Sequence, residues 1–120
     1  MTRILTVDDS AAMRDLVALT LTQAGYEVMQ ASDGVEALTI ARGAQFDLVL
    51  ADLNMPNMNG IELIRALRAE AEYRMTPILM LTTESDLAKR REGKAAGATG
   101  WIVKPFVPDQ LVASLQRVLR

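Results

Sequence analysis

The chain has 120 residues, half of them hydrophobic and 23% charged, with 13 basic and 15 acidic side chains for a net charge of -2. That balance suits one soluble globular domain over residues 1–120 and excludes a disordered chain. Its apolar runs are too short to span a bilayer, and Asp8 interrupts the N-terminus before a signal-peptide core can form, so no membrane insertion and a cytoplasmic location are expected. The absence of Cys and His excludes disulfides, thiol nucleophiles, zinc fingers, Ser-His-Asp triads and a phosphohistidine carrier, and leaves carboxylates, hydroxyls, lysines or a bound ion to do any chemistry. No general attraction for nucleic acid follows from the charge.

Ile4 to Val7 is a short apolar run closed by Asp8 and Asp9, which predicts a strand ending on two carboxylates. Ser10 is placed to cap a helix carrying Met13, Leu16, Val17, Thr20, Leu21 and Ala24, and Gly25 stops it. Glu27 to Ala31 alternates polar with apolar and reads as a second, less buried strand. Asp33 and Glu36 have capping-box spacing ahead of Val35, Leu38 and Ala41, with the helix ending near Gly43. A third strand, apolar throughout, ends on Asp52 and breaks at Asn54 and Pro56. Taken alone, Asp52 reads as a turn residue.

Asn59 and Glu62 repeat the capping spacing, and Ile61, Ile64 and Leu67 carry a third helix from about Gly60 to Ala69. Pro77 introduces a fourth strand, Ile78 to Leu81, closing on Thr82 and Thr83. Ser85 or Asp86 can cap a fourth helix in which Leu87 is the only large apolar residue. Gly93 costs that helix about 1 kcal/mol against Ala, so it is expected to be the least firmly anchored. Gly100 to Val103 is a fifth strand ending on Lys104 and Pro105, and Pro108 and Asp109 open a last helix with the stripe Leu111, Val112, Leu115, Val118 and Leu119.

Strand and helix alternate five times with short connections, which predicts a doubly wound α/β fold with a five-stranded parallel sheet. Strands one, three and four are the apolar ones, so two and five belong at the edges. The order 2-1-3-4-5, a flavodoxin-like arrangement, satisfies that placement.

In such a sheet the C-terminal ends of the strands form one rim, with the ligand site at the switch point between strands one and three. Asp8, Asp9, Asp52, Thr82 and Lys104 all fall on that rim. Their convergence outweighs the turn reading of Asp52. Three clustered carboxylates call for a cation, and an all-oxygen set suits Mg2+ better than zinc or copper. With that charge neutralised, Asp52 is a competent nucleophile toward phosphorus, with Lys104 and Thr82 available to the phosphoryl oxygens.

Across the whole chain, Val7-Asp8-Asp9-Ser10, Asp52-Leu53-Asn54-Met55-Pro56 with Gly60, Thr82 after an apolar strand, and Lys104-Pro105-Phe106 resemble the receiver domain of two-component response regulators. The resemblance implies that Asp52 is the phosphoacceptor and that Asp8, Asp9, Asp52 and the Asn54 backbone carbonyl surround Mg2+. It implies that Lys104 contacts the phosphoryl group, that the Lys104-Pro105 bond is cis, and that Thr82 and an aromatic residue on strand five, here Trp101, act as the switch. The fourth helix, fifth strand and fifth helix form the family's common output surface. Trp101 stands where Tyr or Phe is usual. Thr83 stands where Ala or Gly is frequent, and its bulk is expected to shield the phosphoryl group from water and to slow self-dephosphorylation relative to Ala at 83.

No output domain follows Arg120, so a stand-alone, monomeric regulator acting through protein contacts is expected. Asp9, Ser10, Met13, Arg14, Asn54 and Glu84 look like the chemotaxis type, with a sensor histidine kinase or histidine phosphotransfer protein as donor and a flagellar motor switch protein as target. A phosphorelay shuttle stays open beside it. A flavin binder is disfavoured because the loop after strand one opens with two acids. A magnesium-dependent phosphatase would place its Asp nucleophile after strand one, and a degenerate, partner-binding receiver would not keep the acid, hydroxyl and lysine set. Lys89, Arg90, Arg91 and Lys94 are either a solvated helix face or a surface for an acidic partner peptide, and Met55 and Met58 read as loop packing.

Overall fold

The computed structural model describes residues 1–55, 57–83 and 87–119. Five parallel strands, β1 (Arg3–Val7), β2 (Glu27–Ala31), β3 (Leu48–Asp52), β4 (Ile78–Thr83) and β5 (Gly100–Lys104), pair in the order 2-1-3-4-5. The helices are α1 (Ala11–Gln23), α2 (Gly34–Gly43), α3 (Gly60–Ala69), α4 (Leu87–Ala96) and α5 (Pro108–Val118). A 3-10 turn, Ala71–Tyr73, which the periodicity did not predict, precedes β4. β3 is buried throughout, β1 and β4 nearly so, and the edge strands β2 and β5 carry the exposed positions.

Alternation along the strands divides the core between the two faces of the sheet. Leu5, Val7, Val49, Ala51, Ile78 and Met80 pack with α2 and α3 residues such as Ala37, Ala41, Ile61, Leu63, Ile64 and Leu67. Ile4, Leu48, Leu50, Leu79, Leu81 and Ile102 pack with Val17 and Leu21 of α1 and Leu111 and Leu115 of α5. Met55 and Met58 pack against the first of these clusters, as loop packing requires.

The caps explain where the helices start and stop. The Ser10 hydroxyl accepts the Met13 N–H at 3.2 Å, and α1 ends in a Schellman turn: Gly25 has φ +98, Tyr26 N–H reaches Leu21 O, and Gly25 N–H reaches Thr22 O. Asn59 and Glu62 form a complete capping box. The Asp33 box is only half made, because the Glu36 carboxylate accepts from Ser32 N–H instead of from the cap residue. The cap of α4, expected at Ser85 or Asp86, and the turn at Pro56 lie outside the described residues.

Two expectations are corrected and a third reading is extended. Leu16 is exposed on α1, whose inner face is Val17, Thr20 and Leu21. Val35 is exposed on α2, which instead buries Gly34, Ala37 and Ala41. The reason is close approach: a Cβ on Gly34 would lie 2.6 Å from the Met58 carbonyl oxygen, so the helix turns its small residues inward. Gly93, read only as a helix-weakening residue, is the buried residue of α4 and faces the Met80 sulfur where a Cβ would overlap it. What it costs in helix propensity it returns by letting α4 lie against β4.

Gly60 is the tightest of these positions, because a Cβ there would overlap the Asp52 carbonyl oxygen and lie 2.9 Å from the Leu53 Cα. Both neighbours are backbone and cannot swing aside. Gly60→Ala is therefore expected to lower stability by about 2 kcal/mol, measured by urea unfolding, and an unchanged midpoint would show that the turn after β3 yields.

Candidate phosphoryl and metal site

Because all five strands run the same way, the rim collects what the sequence places at strand ends. Asp8 and Asp9 follow β1, Asp52 ends β3, Thr82 and Thr83 end β4, and Lys104 ends β5. In register Asp52 pairs with Leu81 and Thr83 with Lys104, which sets Thr82 one residue beyond the level of Asp52. Carboxylate oxygens of Asp8, Asp9 and Asp52 lie within 4.8 Å of one another, with Asp8 and Asp52 buried and Asp9 exposed.

Each buried acid is held by identifiable donors. Asp8 Oδ1 accepts the Ser10 N–H at 2.9 Å, so Ser10 both caps α1 and fixes an acid. Asp8 Oδ2 faces Lys104 Nζ at 3.4 Å, and Asp52 Oδ1 faces the same ammonium at 3.1 Å. Asp52 Oδ1 also accepts the Asn54 N–H at 3.4 Å. Burial pushes the Asp52 carboxyl up from the ordinary carboxylate range; Lys104 pulls it back down and the Asp8 charge pushes it up again.

The donor set fits a hard divalent cation: three carboxylates offering one oxygen each in a space that size, with neither imidazole nor thiolate in the chain. The structure thus brings together Asp8, Asp9, Asp52 and Lys104, with Asn54 joined to Asp52 through its backbone. The Thr82 side chain is buried and its hydroxyl donates to the Thr83 carbonyl at 3.4 Å. Trp101 is 44% exposed on β5, turned outward. The Lys104-Pro105 peptide bond is cis, as the resemblance implied.

The loop between β3 and α3 is held from both sides. Asn57, with φ +65, donates to Asp33 Oδ2 at 3.1 Å, and Lys89 of α4 donates to Asn54 Oδ1 at 2.8 Å. Arg14 of α1 donates to the Asp8 carbonyl at 2.6 Å. Sequence reasoning assigned no such roles to Arg14 and Lys89. Helical spacing does place Arg14 one turn after Ser10, but nothing local marks Lys89, whose partner is 35 residues away.

Comparison with known proteins agrees with this geometry. Residues 4–116 match the family model for the response regulator receiver domain, and the chain belongs to that family. It is 41% identical over 119 residues to a chemotaxis protein CheY homolog of Campylobacter jejuni, covering 98% of this chain and 92% of that protein. Vibrio cholerae CheY4 superposes with a TM-score of 0.94 at 54% identity over 98% of each chain. The receiver domain of a sensor histidine kinase from Pseudomonas aeruginosa, solved with magnesium coordinated in its active-site cleft, superposes with a TM-score of 0.92 at 30% identity, covering 98% of this chain and 97% of that one. The chain is a CheY-like receiver. Among the described residues no helix is long and apolar enough to cross a membrane.

Proposed function

We propose that residues 1–120 act as a single receiver unit that takes a phosphoryl group onto Asp52 from the phosphohistidine of a sensor kinase or a histidine phosphotransfer protein. The observation that carries this reading is the convergence of three acids with Lys104, whose ammonium lies 3.1 Å from Asp52 Oδ1. Asp8, Asp9, Asp52 and the Asn54 carbonyl would hold Mg2+, a role supported by the oxygen donor set and by the magnesium-bound Pseudomonas receiver. Magnesium, when bound, neutralises charge on the transferring phosphoryl oxygens.

In the transfer an Asp52 carboxylate oxygen forms a bond to phosphorus as the P–N bond of the donor breaks. The bonding pair stays on the imidazole nitrogen, which takes up a proton. Lys104 places its ammonium beside the accepting oxygen and faces the charge that develops there. Thr82 turns its hydroxyl from the Thr83 carbonyl to a phosphoryl oxygen, and Trp101 moves inward behind it. Asp52 is regenerated by water, so the chain is a signalling protein rather than an enzyme with a substrate pool of its own.

Output then runs through α4, β5 and α5. Leu87, Arg90, Arg91, Lys94, Ala95 and Trp101 line a groove of about 490 Å³ there. An apolar floor between basic side chains suits an acidic, amphipathic segment of a target protein. The relation to CheY proteins supports chemotaxis, with the flagellar motor switch as target, and a monomeric, cytoplasmic regulator.

The test uses Trp101 as reporter, since it is the only tryptophan. Adding magnesium and then beryllofluoride or a small phosphodonor should change its fluorescence, and Asp52→Asn should abolish the change. Absence of phosphate on Asp52 with every donor tried would sink the reading.

A further inference from the structure

Arg90 stacks on one of the two switch residues, Trp101, and shares a backbone acceptor with the other, Thr82. Its guanidinium carbon lies 5.4 Å from the centre of the Trp101 ring. Its Nη2 donates at 3.3 Å to the Thr83 carbonyl, the same oxygen that receives the Thr82 hydroxyl at 3.4 Å. Its Nε is buried and has no hydrogen-bond partner among the described residues. A cation over an aromatic face gains more as water is excluded from it, and the half-buried guanidinium is in that situation.

That arrangement favours one orientation of the indole. An inward swing of Trp101 takes the ring away from the guanidinium and gives up the cation–π contact. We propose that Arg90 is a positioning residue that holds Trp101 outward in the resting protein and thereby sets how strongly an occupied Asp52 site must act to throw the switch. The inference rests on the function proposed above and adds to it a residue on α4 that opposes activation. A state that must be paid for lowers the apparent affinity of whatever selects it.

The experiment is a beryllofluoride titration at saturating magnesium, read from the fluorine signal of the bound species so that the indole is not the reporter. Wild type, Arg90→Met, Arg90→Lys, Trp101→Ala and the Arg90→Met/Trp101→Ala pair are compared. Arg90→Met, which keeps the apolar stem, should half-saturate at about fivefold lower beryllofluoride, the factor that about 1 kcal/mol produces. Arg90→Lys keeps a cation over the ring and should stay within about twofold of wild type. In the Trp101→Ala background the Arg90→Met effect should vanish. Unchanged or weaker binding by Arg90→Met, or a shift that persists without Trp101, overturns the inference and leaves the proposed function standing. A wild type that binds no beryllofluoride overturns both.

Discussion

Asp52→Asn is expected to lose all phosphoryl incorporation and to be more stable than the wild type at pH 7. The first effect follows from replacing the nucleophilic carboxylate with an amide, whose oxygen is a poor nucleophile toward phosphorus. The second follows from burial, which raises the Asp52 carboxyl above its ordinary value of 3.8. A carboxyl with a raised folded-state pKa favours folding below its unfolded value, and that contribution is lost as pH climbs through the raised pKa. At pH 7 the ionised group therefore opposes folding. Asparagine has nearly the same shape and no charge, so in magnesium-free buffer its Tm should rise by about 4 °C, the shift that about 1 kcal/mol gives a chain of this size. The gain should shrink as the pH is lowered and be absent where the wild-type group is protonated in both states. Thermal melts from pH 3 to 8 check it, and an equal or lower Tm at pH 7 would mean that the Lys104 contact outweighs burial.

Lys104→Met should have the opposite effect on stability. The ammonium joins two buried carboxylates that are otherwise left facing one another, and Met keeps the stem while deleting the charge. Breaking such a pair costs several kcal/mol in a fully buried setting. With Lys104 about one-fifth exposed, a loss of about 2 to 3 kcal/mol in magnesium-free buffer is expected. Millimolar magnesium should restore part of it by returning positive charge to the acids. Urea unfolding with and without magnesium measures both. A variant as stable as wild type without the ion would show that the acids relieve their repulsion by another route. Phosphoryl uptake should fall at least tenfold even in the refolded, magnesium-loaded variant, since the accepting oxygen then lacks its ammonium.

The parts of this fold that could be read from sequence were those controlled by neighbours along the chain. Ser10, Asp33 and Asn59 act as helix caps within three residues of their donors, and the burial of β1, β3 and β4 follows from uninterrupted apolar runs. The rim residues were legible because parallel topology alone brings strand ends together. The phase of α1 and α2 was not, because Leu16 and Val35 have the right spacing but lie away from the sheet. Which stripe turns inward was decided by how closely each helix can approach, and for Gly34 that depends on the Met58 backbone. Gly93 illustrates the same limit, as its role appears only when Met80 is set against it. The basic run on α4 offered two readings by composition. In the fold Lys89, Arg90 and Lys94 each meet a named acceptor, Asn54, Thr83 and Thr99 respectively, which no local pattern announces.

The far end of α4 is fastened differently from the near end. Gly97, at φ +117, closes the helix with Ala98 N–H on Gly93 O, and the desolvated Arg68 guanidinium binds the Gly97 carbonyl at 3.0 Å together with those of Tyr73 and Thr76. Among the described residues the near end is tied by two long side chains, Lys89 to Asn54 and Arg90 to Thr83. Any tilt of the helix would therefore have its fulcrum near Gly97. Ten residues make an arm of about 15 Å, so a tilt of about 10° at the fulcrum carries Leu87 through about 2.5 Å while Ala95 scarcely moves. A partner seated toward Leu87 would register that displacement almost in full, and one seated toward Ala95 almost none.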